Sequence, residues 1–95
     1  MASEATIRID RDALKSVQES IKLGQKIAQQ KLSVCQSRLA HFEKEKQMDT
    51  DTFIRLFEDG KLGDDADLIE WEHFARVSAT LNKKLSDLET VRYEP

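Results

Sequence analysis

A chain of 95 residues with no more than one cysteine can be one domain, and it holds no internal disulfide. At 39% hydrophobic and 35% charged residues it is too apolar for a disordered chain, and no apolar run approaches the roughly 20 residues of a membrane span. The net charge of −3 is unevenly divided: residues 1–46 carry nine Lys/Arg and six Asp/Glu, residues 47–95 six and twelve. The basic half has no charge tract, so nucleic acid is not expected as a partner. The acidic half would repel nucleic acid and could attract a basic protein. No secretory signal opens MASEATIRID, and a cytoplasmic location is expected.

Residues 1–9 read as an extended lead-in, in which Thr6-Ile7-Arg8-Ile9 alternates like a short strand. Asp10 stands where a helix N-cap belongs, and Asp12 suits a first turn. A long helix is predicted over 11–46. Leu14, Ile21, Ala28, Cys35 and Phe42 recur every seven residues, flanked by Val17, Ile27, Leu32, Val34 and Leu39. Gly24 lies near this seam, but the stripe passes through it in phase. The opposite face, with Lys22, Gln25, Gln29, Gln36 and Glu43, is expected to be wet.

Asp49 can cap a second helix over 50–59, with Met48 and Phe53 at the two positions of a hydrophobic staple. Gly60 suits a left-handed C-terminal position, and Gly63 allows another turn. Asp64 or Asp65 caps a last helix over 65–91, with Asp67 and Glu70 complementing its dipole. Its seam is Leu68, Trp71, Phe74, Ser78, Leu81, Leu85 and Leu88. At 1.5 Å per residue, the first helix and the two later ones each span roughly 54 Å. The expected fold is all-α: a single long antiparallel helical hairpin with a broken returning arm. Two layers of helix leave apolar stripe uncovered, which predicts a homodimer forming a helical bundle.

The segment FEDGKLGDDADLIEW, residues 57–71, is the most unusual in composition. As an EF-hand starting at Asp59 it would need oxygen ligands at Lys61 and Gly63 and a glycine at Asp64, so calcium is excluded. GKLG lacks the spacing and the terminal Lys-Ser/Thr of a phosphate loop. His41 and His73 have no histidine or cysteine at helical spacing, and Cys35 reads as a small core residue. Adjacent carboxylates such as Asp64 and Asp65 read as capping. No catalytic residue, cofactor or metal site is expected, and an enzyme is the least favoured class. Phe53, Phe57, Trp71 and Phe74 form an aromatic cluster that either packs the hairpin tip or exposes apolar anchors ringed by acids.

The start, TIRIDRDALKSVQESIKLG, is similar to ribbon-helix-helix proteins, whose paired strands enter the DNA major groove; Thr6 and Arg8 would face the bases. That likeness covers about 20 residues, and QKIAQQK lacks a cap for a second helix. The stretch MDTDTFIRLFEDGKLGDDADLIEWEHF resembles a family of small helical proteins of archaea and bacteria. The matching residues are Phe53, Phe57, Gly60, Leu62, Gly63, Asp64, Asp65, Asp67, Glu70 and Trp71. With KLSVCQSRLAHFEKEK before it, the likeness spans roughly residues 31–90. It implies an antitoxin that binds and neutralises a cognate toxin protein, without enzymatic activity. The expected partner-binding residues are Phe57, Leu62, Asp64, Asp65, Asp67, Glu70, Trp71 and Glu72. The alternatives are a DNA-binding regulator built on the N-terminal ribbon and a self-associating structural bundle.

Overall fold

The computed structural model describes residues 3–93; residues 1–2 of the expected lead-in and 94–95 of the expected frayed end lie outside them. A 3-10 turn, Arg11–Ala13, leads into α1, Leu14–Lys46; α2 is Thr50–Glu58 and α3 is Ala66–Glu89. The predicted boundaries hold to within three residues. The discrepancy at the start has a local cause. Asp10 is extended but makes no side-chain cap bond, so the chain enters through a 3-10 turn closed by Ala13 N–H donating to the Asp10 carbonyl.

α1 runs through Gly24 without a break. Thr6–Ile9 form no strand, and no strand occurs among the described residues. Among the described residues, the turn and second helix of a ribbon-helix-helix unit are therefore missing after Gly24.

The turn out of α1 is built from an unexpected residue. Gln47 sits at φ 52°, in the left-handed region, and Met48 N–H donates to the Glu43 carbonyl at 3.2 Å. This is the longer bond of a Schellman motif, made here without glycine. α2 ends in the same motif with its usual residue. Gly60 is at φ 70°, Gly60 N–H donates to Phe57, and Lys61 N–H donates to Leu56 at 3.0 Å. Between these turns Asp49 caps α2 as expected, its carboxylate accepting from Thr52 N–H at 2.7 Å. That bond, backbone first, holds the Asp49 carboxyl below the usual aspartate range.

α1 and α3 pack along one another, and the molecule measures 54 × 28 × 17 Å. The buried seam of α1 is Ala28, Leu32, Cys35 and Phe42; α3 contributes Trp71 and Ser78. Leu14, Ile21, Leu81, Leu85 and Leu88, toward the open end, are only half-buried. Two residues expected to widen the stripe do not. Ile27 is 43% exposed and Val34 59%, because α3 covers one side of α1 and no element covers the next.

Candidate functional site

The tip of the hairpin is the best-packed part of the chain. Phe53 (0% exposed) and Trp71 (1%) stack with ring centroids 3.9 Å apart and planes 1° from parallel. Phe42 stacks on the indole at 5.8 Å, so Trp71 is held between an α1 ring and an α2 ring. Met48, Phe57, Leu62, Leu68 and Phe74 close around this stack. Met48 and Phe53 thus meet through the same cluster, as the staple positions require. Arg38 lies over the Phe74 ring, 5.8 Å from its centroid.

A polar relay passes through the same core. Trp71 Nε1–H donates to Thr50 Oγ1 at 3.0 Å, and Thr50 Oγ1 donates to Glu43 Oε2 at 3.1 Å. Glu43 Oε2 also accepts from Thr50 N–H at 2.8 Å. One carboxylate of α1 therefore satisfies an orphan N–H of the first turn of α2, and the α2 hydroxyl satisfies the α3 indole. Glu43, placed on the wet face by periodicity, is half-buried because α2 folds back over it. Thr50 had no distinguishing signal in the sequence beyond following a cap.

Around this core the acids remain outside. Asp59, Asp64, Asp65, Asp67 and Glu70 are exposed, with Glu58 beside them. Asp65 occupies the α3 cap position, but the bonds there come from its carbonyl, which accepts from Leu68 and Ile69 N–H; its carboxylate makes no cap bond. Among the described residues, Asp59, Asp64, Asp65 and Glu70 have neither an ion pair nor a side-chain hydrogen bond. Asp67 meets Lys46 at 3.8 Å, and half-buried Glu72 meets Arg76 at 3.7 Å. No family model, curated protein or solved structure matches the chain.

The expected contact set divides accordingly. Asp64, Asp65, Asp67 and Glu70 share one exposed acidic surface, with half-buried Phe57 and Leu62 at its edge. Glu72 is partly committed to Arg76. Of the two readings of the aromatic cluster, Trp71 takes the packed one: it is buried, with rings of α1 and α2 stacked on its indole. The exposed apolar side chain at this end is Ile69, 50% accessible, one turn after Asp65 and one turn before Glu72 and His73. Sequence reasoning passed over it because Ile69 lies off the α3 seam. An off-seam isoleucine on an otherwise polar helix face was the available signal.

His41 is exposed and contacts Glu45 at 2.9 Å, and Cys35 is buried on the seam. No three His, Cys, Asp or Glu side chains converge into a metal-binding group among the described residues. No described helix is long and apolar enough to cross a membrane.

Proposed function

We propose that the chain is a non-enzymatic, cytoplasmic interaction module that works as a homodimer and binds a basic partner protein with its hairpin tip. The observation that carries this reading is the division of labour among the tip carboxylates. Asp49 and Glu43 are consumed by capping, whereas Asp59, Asp64, Asp65 and Glu70 are left to solvent on a rigid aromatic core. A surface built this way holds negative charge in fixed positions, which speeds encounter with a basic protein and selects against acidic ones. The tip motif's resemblance to the antitoxin family names the kind of partner: a cognate toxin whose basic substrate-binding surface the acids would cover.

The test is binding kinetics against the protein encoded beside this one, at two salt concentrations. Asp64→Asn with Asp65→Asn should slow association roughly tenfold at low salt and flatten the salt dependence, because neither carboxylate caps α3. Ile69→Ala should act mainly on dissociation. Unchanged kinetics in both variants would remove the tip as the binding surface.

A further inference from the structure

The dimension at odds with a free monomer is thickness. A radius of gyration of 18.2 Å compares with about 12 Å for a compact chain of this length. The accessible surface of 7918 Å² exceeds the roughly 5600 Å² expected for a monomer of this mass. Part of this excess belongs to the extended, exposed residues 3–10, and part to a two-layer hairpin whose α1 is covered on one side.

The exposed apolar surface of α1 is not scattered. Leu23 (57% exposed), Ile27 and Val34 fall on a second heptad line with Ser16, Ser20, Gln30, Ser37 and His41. This line lies about a third of a turn away from the seam that faces α3, as in a helix with two neighbours. An open groove lined by Ser16, Val17, Ser20, Gly24, Lys84 and Leu88 adjoins it toward the open end. No carboxylate lies between Glu19 and Glu43 in this part of α1.

The line reads nearly the same in both directions about a point between residues 28 and 29. Laid antiparallel on its own copy, Leu23 stands level with Val34, Ile27 with Gln30, and Ser20 with Ser37. We infer that a second copy of this chain covers this face, α1 against α1 and antiparallel, closing a four-helix bundle with an acidic tip at each end. The inference rests on the homodimer proposed above and adds its face and direction. A two-fold axis requires such a self-complementary patch, and the small serines let the helices close toward the ends. Gln30 near the axis gives the register a polar marker.

Disulfide trapping reads both face and direction. Leu23→Cys and Val34→Cys are made as separate chains; native Cys35 is 4% exposed and stays out of reach. Refolded together and mildly oxidised, the two chains should cross-link to each other. Either chain alone should not, since 11 residues of helix separate the two levels by roughly 16 Å. Ile27→Glu, at a position accessible within one chain, should keep the helicity and reduce the mass in solution to that of one chain. Self-cross-linking of either single variant would overturn the antiparallel direction. A wild-type dimer that yields no cross-link in the mixture, and that survives Ile27→Glu, would overturn the face while leaving the homodimer standing. A wild-type monomer at tens of micromolar would overturn both.

Discussion

Thr50→Val separates the relay at the tip from ordinary packing. The substitution keeps the branched shape and a similar helix propensity at the first residue of α2. It removes the hydroxyl that accepts from Trp71 Nε1 at 3.0 Å and donates to Glu43 at 3.1 Å, while the backbone bond from Thr50 to Glu43 remains possible. The indole N–H of a tryptophan only 1% exposed then loses the acceptor that the Thr50 hydroxyl provides at its edge. An unsatisfied buried donor costs about 1–3 kcal/mol. At about 2 kcal/mol, the melting temperature of a chain this size should fall by roughly 8–16 °C. Melts at one protomer concentration, followed by circular dichroism, measure this. The control is Trp71→Phe, which deletes the donor. In that background Thr50→Val should cost at least about 1 kcal/mol less. An equal cost in both backgrounds would refute the reasoning and assign the effect of the hydroxyl to Glu43 alone.

Gly60→Ala should destabilise by about 1 kcal/mol, because its φ of 70° disfavours a side chain although open space surrounds it. Gly24→Ala should be neutral or stabilise by up to about 1 kcal/mol, since its Cβ would meet only Leu88 Cδ1, at 4.0 Å, within an unbroken helix; thermal melts of the pair should rank them in that order. Gln47→Gly should stabilise by about 1 kcal/mol in urea titrations by relieving the left-handed φ of 52°. Asp49→Asn tests the cap by pH. The folded-state pKa of Asp49 is depressed, so the ionised carboxylate contributes above the unfolded value of about 3.9, and its contribution is lost as pH falls through the depressed value. Stability differences between wild type and Asp49→Asn should therefore shrink in acid and stay level from pH 5 to 7.

Helix positions were legible because they rest on local chemistry. Seven-residue spacing located α1, Asp49 its neighbour's start, and Gly60 that neighbour's end. The misreadings share a different cause, which is that they depend on what folds over what. Glu43 looks like a wet-face residue until α2 returns across it, and Thr50 looks interchangeable until an indole reaches it. Trp71 stood open between two readings for the same reason: it belongs both to a seam and to an aromatic cluster, and periodicity alone does not say which faces of a ring are covered. Gln47 adopts a glycine's conformation with no glycine to announce it. Ile27 and Val34 were placed by pattern in a core that one neighbouring helix is too narrow to provide.

The aromatic stack sits at one end of a molecule 54 Å long, and this sets an order of opening. Amides near Phe42, Phe53 and Trp71 belong to a unit closed by short turns, which forms quickly and opens last. Toward Leu14 and Leu88 each turn of helix is held by half-buried side chains alone, so a lone hairpin unzips from its open end. An antiparallel copy would lay the middle of its own α1 against the middle of this one and its firm tip beside this weak end. Each chain would then lend its slow-exchanging region to the other's fast-exchanging one, and hydrogen exchange would report association as protection gained at residues 14–24, far from the same chain's acidic tip.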